Sequence, residues 1–190
     1  MVSASLPPVV LLDRDGVLNE DRTDYVKSLD EWVWLPGARE ALARLRSAGI
    51  RVGVLTNQSC VSRGIVPPQT VEAVHEHMRS EAEAAGGRID AVFHCPHVDA
   101  DGCDCRKPLP GLVHRALAHF RCDPEGVPFV GDAPRDLQAA ASGGVRPVLV
   151  RTGKGTASEA GALPAGTAVH DDLAAFVEAL LGAAPEDAAC

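Results

Sequence analysis

The sequence specifies an α/β protein built on a central parallel sheet, and three features carry that reading. Short apolar runs alternate with amphipathic helical stretches along the 190 residues, as a parallel sheet with crossover helices requires. Runs such as Val9-Val10-Leu11-Leu12 lack polar alternation, which suits interior strands buried on both faces. Reactive side chains follow several of these runs, at the carboxyl ends where open α/β sheets place their sites.

The first strand, 9–12, is closed by Asp13-Arg14-Asp15-Gly16. A polar stretch from Asn19 to Asp30 leads through Trp32-Val33-Trp34-Leu35-Pro36-Gly37 to a helix over 38–48, which Gly49 stops. A second strand, 51–55, is followed by the small polar run Thr56-Asn57-Gln58-Ser59. Val71, Val74, Met78 and Ala82 keep helical spacing until Gly86-Gly87. A third strand, 91–93, precedes a cysteine-rich loop, and Leu112, Val113, Ala116, Leu117 and Phe120 mark the next helix. Pro128-Phe129-Val130 enters Gly131-Asp132; 137–141 is helical, 146–150 is a fifth strand, and a helix over 173–181 closes the fold. The Gly, Ala and Pro-rich stretch 153–166 reads as loop. One domain over 1–182 and a flexible tail at 183–190 result, with no internal repeat.

Composition narrows the function. Hydrophobic residues make up 46% of the chain, enough for one substantial core. A net charge of −8 without a basic run disfavours nonspecific nucleic-acid binding, so a phosphate-bearing substrate must be held by a few local cations. The first residues lack a signal-peptide pattern and no stretch suits a membrane helix, so a cytoplasmic protein is expected; a monomer is expected as well. Three of the six cysteines crowd between Cys95 and Cys105 around His97, which favours a metal site in a reducing compartment over disulfides.

Asp13 and Asp15 share one side of an extended backbone. The pair is compatible with a divalent cation, with a nucleophile beside an acid/base, or with a solvated turn. Further strand ends then deliver Thr56 and Asn57, Lys107, and Asp132 with Asp136, in chain order. Each alone is bland: Thr56 and Asn57 could cap the next segment, Lys107 could be a surface cation, Gly131-Asp132 could be a turn. Their joint placement on successive strand ends is what a site requires. Cys95-Pro96-His97 and Cys103-Asp104-Cys105 supply three thiolates and an imidazole, the closed tetrahedral set of a structural zinc. Such an ion would fix the Arg106-Lys107 step that follows the last ligand.

In this order the set resembles the haloacid dehalogenase superfamily of phosphatases over nearly the whole chain. The resemblance implies a three-layer Rossmann-like fold without a large cap domain, since no long insertion follows the first or second strand. It implies that Asp13 attacks phosphorus to form an aspartyl-phosphate and that Asp15 protonates the leaving oxygen and then activates water. It implies Mg²⁺ held by the Asp13 carboxylate, the Asp15 backbone carbonyl and Asp132, with Asp136 supporting water or Lys107. Thr56 and Lys107 would stabilise the phosphoryl oxygens.

The cysteine loop with Arg106-Lys107-Pro108, together with 13–19 and Arg151-Thr152-Gly153-Lys154-Gly155, resembles the heptose bisphosphate phosphatase branch. Histidinol-phosphate phosphatases are its close relatives, and Ser59 with Arg63-Gly64 leans toward the heptose side. That branch implies a phosphorylated sugar as substrate, released of its C7 phosphate for nucleotide-activated heptose synthesis. Arg106 would contact the sugar or distal phosphate, Asn57, Gln58 and Ser59 would line the pocket, and Asn19 would border it. Two departures bear on the substrate: Ala133 stands where the family often carries Lys, and Cys60 where Gly is usual. The anomer stays open. A binding module that has kept the fold but lost catalysis is the competing class, which the intact Asp13, Asp15, Lys107 and Asp132 argue against. The remaining histidines, His75 among them, read as packed or solvated, as do Cys60, Cys122 and Cys190.

Overall fold

The computed structural model describes residues 6–183, so all but the first residue of the tail 183–190, expected to fray, lies outside the described residues. Six parallel strands form the sheet: β1 (Val9–Leu12), β2 (Arg51–Asn57), β3 (Ala91–Cys95), β4 (Pro128–Gly131), β5 (Arg146–Val150) and β6 (Ala168–His170). Their order across the sheet is β3-β2-β1-β4-β5-β6. The helices are α1 (Ala38–Ser47), α2 (Pro68–Ala84), α3 (Gly111–Phe120), α4 (Pro134–Ser142), the short α5 (Gly155–Glu159) and α6 (Leu173–Gly182).

β1 explains the three layers. All four of its residues are fully buried, and alternation sends them to opposite sides. Val10 and Leu12 join the core under α1, α2 and α6, with Val52, Val54, Val130 and Val148. Val9 and Leu11 join the core under α3 and α4, with Leu55, Leu112, Phe120 and Phe129. Gly53 matters on that second face, because a Cβ there would stand 2.8 Å from the Phe120 ring. Its hydrogen lets α3 lie flat on the sheet.

The strand order reverses beside β1. From β1 the chain runs outward to β2 and β3, then returns to β4 and continues to β5 and β6. That reversal opens a crevice at the carboxyl ends of β1 and β4, the switch point where such sheets bind ligands. Asp13 follows β1 and Asp132 follows β4. The fold therefore brings the first and fourth candidate motifs face to face.

Two expectations need correction. The stretch 153–166 is not all loop, since α5 occupies its start, and a sixth strand follows it. β6 has only three residues, half-buried at the sheet edge and paired to β5 from Val148↔Ala168 to Val150↔His170. A strand that short has no periodicity to detect; the β5 edge specifies it. No helix of the described residues is long and apolar enough to cross a membrane.

Candidate active site

β1 ends by handing Asp13 to its neighbour: the Asp13 amide donates to the Val130 carbonyl at 2.8 Å, and the Arg14 amide donates to Asp13 Oδ1 at 2.7 Å. The chain then turns at Gly16, whose φ is +83°. A side chain at Gly16 would collide with the Asp132 carboxylate, as would one at Gly153. Those two glycines form a cradle that lets Asp132 reach the crevice. Its Oδ2 accepts from the Lys154 amide at 2.8 Å, while Oδ1 is buried without a hydrogen-bond partner.

Lys107 arrives from the cysteine loop and is itself enclosed. Its Nζ lies 2.8 Å from Asp13 Oδ1 and 2.6 Å from Asp136 Oδ1, and donates to the Leu55 carbonyl at 2.8 Å. Those carboxylates outweigh burial and raise its pKa, so Lys107 is a fixed ammonium. Asp136 also accepts from the Ala133 amide at 3.0 Å, closing the first turn of α4. Burial, helped by Asp136 and opposed by Lys107, pushes the Asp13 carboxyl up to about 7. Burial and then Asp136 push Asp132 up to about 6.

This donor set fits a hard divalent cation. Oxygens of Asp13, Asp132 and Asp136 come within 4.8 Å of one another, and crowded buried carboxylates with an orphaned oxygen gain from a cation among them.

Asp15 sits differently. Both of its oxygens are taken: Oδ1 by Arg14 at 2.9 Å and Asn19 at 3.0 Å, Oδ2 by Arg14 Nε at 3.2 Å and Gln58 at 3.0 Å. Burial works against its charge, but the Arg14 guanidinium and these hydrogen bonds overcome burial and hold its pKa below the usual carboxylate value. Arg14, which the motif reading left without a role, is 1% exposed. The His75 ring faces it at 3.4 Å and Trp32 stacks at 5.8 Å. Buried arginine with a single carboxylate partner was the missed signal, and only the fold reveals it.

Above these groups opens a pocket of about 210 Å³, lined among others by Asp15, Tyr25, Asn57, Ser59, Arg106 and Arg135. Asn57 and Ser59 line it as expected. Gln58, Asn19 and Thr56 do not: Gln58 is buried and donates to Thr56 Oγ1 at 2.8 Å, and Asn19 lies wholly buried behind Asp15. The Asn19 and Gln58 amides serve Asp15, and that of Gln58 also serves Thr56 at the strand end, instead of the pocket wall. Lys107 is likewise beneath the pocket floor.

The cysteine loop packs on the same side. Cys95 Sγ stands 3.6 Å from both Cys103 Sγ and His97 Nδ1, and Cys105 Sγ 3.4 Å from His97 Nδ1. A zinc tetrahedron with ordinary bond lengths has S–S edges of ~3.8 Å and S–N edges of ~3.6 Å. All four residues form one cluster and their thiols are free, so the set fits zinc. His94 stays outside it, facing Glu72 at 3.7 Å.

Comparison with known proteins bears directly on this arrangement. The family model described as haloacid dehalogenase-like hydrolase matches residues 10–81, and a second, HAD-hydrolase-like, matches 104–176. The D-glycero-beta-D-manno-heptose-1,7-bisphosphate 7-phosphatases of Pseudomonas aeruginosa and Bordetella bronchiseptica are 47% and 49% identical, each over 91% of this chain and 97% of its own. The chain belongs to the haloacid dehalogenase-like hydrolases. For this hydrolase the crystal structure of the B. bronchiseptica D,D-heptose 1,7-bisphosphate phosphatase, complexed with magnesium and phosphate, aligns with a TM-score of 0.91. It covers 94% of this chain and 100% of that one at 49% identity. The superfamily resemblance, the α/β fold and phosphomonoester hydrolysis as the reaction class thus stand for this haloacid dehalogenase-like hydrolase.

Proposed function

We propose that this hydrolase removes the C7 phosphate of D-glycero-β-D-manno-heptose 1,7-bisphosphate in a magnesium-dependent reaction, as a step toward nucleotide-activated heptose. The observation that carries the chemistry is the buried Lys107 ammonium held between Asp13 and Asp136, close behind a cation-lined pocket. The likeness to phosphatases named for that substrate supports its identity.

Asp13 is the nucleophile. One carboxylate oxygen attacks the C7 phosphorus and the ester P–O bond breaks; to protonate the departing sugar oxygen, Asp15 must first be released from Arg14 and Gln58 and take up a proton from solvent, which it then donates. Asp15 then takes a proton from the water that attacks the aspartyl-phosphate, which frees inorganic phosphate and restores Asp13. Lys107 offsets charge on the phosphoryl oxygens, Thr56 and the backbone near Asn57 donate to them, and Asp136 holds Lys107 in place. Magnesium would be held by the Asp13 carboxylate, the Asp15 backbone carbonyl and Asp132, and when bound it screens the repulsion between nucleophile and phosphate.

Cys95, His97, Cys103 and Cys105 would hold a structural zinc that fixes the Arg106-Lys107 step, a thiol-rich site suited to the reducing cytoplasm. Arg106 and Ser59 face the sugar or its distal phosphate. Steady-state rates on heptose bisphosphate and on histidinol phosphate test the reading; a tenfold or greater preference for histidinol phosphate overturns it.

A further inference from the structure

Arg135 occupies an unusual position among the cations of the pocket. Four of the others are already answered by carboxylates: Arg14 by Asp15, Arg22 by Asp24 and Glu31, Arg106 by Asp99 at 2.6 Å, and Lys154 by Asp21 at 2.7 Å. Arg63 is exposed. Arg135 lines the same pocket from the first turn of α4, is half-buried, and forms no ion pair among the described residues. Its Nε is enclosed by protein without a hydrogen-bond partner. A buried guanidinium nitrogen left unpaired is costly, so one on a pocket wall calls for a partner.

Charge balance says what the ligand is. Asp13, Asp132 and Asp136 are matched by Lys107 and one divalent cation, and Asp15 and Asp21 are matched by Arg14 and Lys154. The positive charge of Arg135 is then surplus to the protein's own acids. Burial works against that charge, while the fields of Asp136, Asp13, Asp132 and Asp21 sustain it, which sets the guanidinium beside the reaction centre. A planar guanidinium on a pocket wall matches the oxygens of a phosphate.

We propose that Arg135 binds a phosphate group of the substrate and supplies the cation that Ala133, one residue past Asp132, does not. This rests on the phosphatase reading above. The position is two residues along the same helix turn, so the charge enters the pocket from the same element.

The test is Arg135→Gln, with Arg135→Lys as the conservative partner, in the magnesium-loaded protein. Inorganic phosphate is titrated calorimetrically, and thermal unfolding checks that each variant folds as wild type does. Phosphate affinity is expected to fall at least tenfold in Arg135→Gln and to recover in part in Arg135→Lys. Rates on a sugar monophosphate and on the bisphosphate then identify the phosphate: equal losses in kcat/KM assign Arg135 to the reacting group, a larger loss on the bisphosphate assigns it to the distal one. Phosphate affinity within twofold of wild type, with kcat/KM unchanged on both substrates, overturns the proposal. Phosphate titration does not depend on the heptose assignment, so a wild-type protein inert toward heptose bisphosphate would defeat that assignment and leave Arg135 still testable.

Discussion

Asn57 and Lys107, fifty positions apart, exchange two hydrogen bonds: the Asn57 amide donates to the Lys107 carbonyl at 3.0 Å and its oxygen accepts from the Lys107 amide at 3.1 Å. The last residue of β2 thereby grips the backbone of the lysine that pairs with Asp13. An asparagine that the motif reading gave to the pocket alone has a second task, aligning the cation.

Loss of this clamp has a defined signature. Asn57→Ala removes both bonds, which lowers the unfolding free energy by about 1–3 kcal/mol at the usual worth of a buried hydrogen bond. Turnover should fall by at least tenfold with a smaller change in KM, because Lys107 acts mainly on the transition state. Urea unfolding with steady-state kinetics checks both; an unchanged kcat shows that Lys107 holds its place without Asn57.

The orphaned oxygen of Asp132 leads to a metal prediction. Asp132→Asn keeps the side-chain shape but removes the charge, so half-maximal activity should require at least tenfold more Mg²⁺. Titration of activity against Mg²⁺ measures it, and an unshifted midpoint would remove Asp132 from the ligand set.

The cysteine cluster is expected to hold one zinc per chain. Cys105→Ser should lose that equivalent by elemental analysis and destabilise the fold by several kcal/mol, since ligand binding and folding are linked there. At this chain length that is a fall in Tm of roughly 10 °C. Zinc-free wild type with unaltered Tm would mean that the cluster is packing alone.

Acid sensitivity should trace to His75. Burial first, and the Arg14 charge second, depress its pKa from 6.5 to about 3. The unfolded chain then binds more protons between those values, so stability falls as pH drops below about 6.5. From pH 7 to pH 5 the contribution is about 2 kcal/mol, and His75→Gln should abolish it. Asp13, raised to about 7, acts in the opposite sense, but it is common to both proteins and cancels in the comparison. Equal slopes of stability against pH in the two proteins would contradict the assignment.

Much of this was legible in the chain because its signals are local. β1 and β5 have the predicted bounds, and α1 and α6 differ by a residue at one end. Asp13, Lys107, Asp132 and Asp136 do converge: Asp13 and Asp132 directly follow adjacent strands, Asp136 comes from the first turn of α4, and Lys107 is brought in by the cysteine loop after β3. What escaped depends on contacts across the fold. β2 runs on to Asn57 and β3 to Cys95 because the two strands pair through that register. β6 exists only as an edge to β5. Arg14 and His75 meet 61 positions apart, and the buried side of Gln58 is set by Asp15. Arg135 reads as an ordinary surface residue until α4 places it in the pocket.

Substrate choice and the position of cleavage are read together by ³¹P NMR of one tube holding equal heptose 1,7-bisphosphate and histidinol phosphate, with Mg²⁺ and the enzyme. The C7 ester signal is expected to be lost first while the anomeric phosphate signal persists and inorganic phosphate appears in equal amount. Loss of the anomeric signal, or consumption of histidinol phosphate ahead of the sugar, would contradict the proposed function.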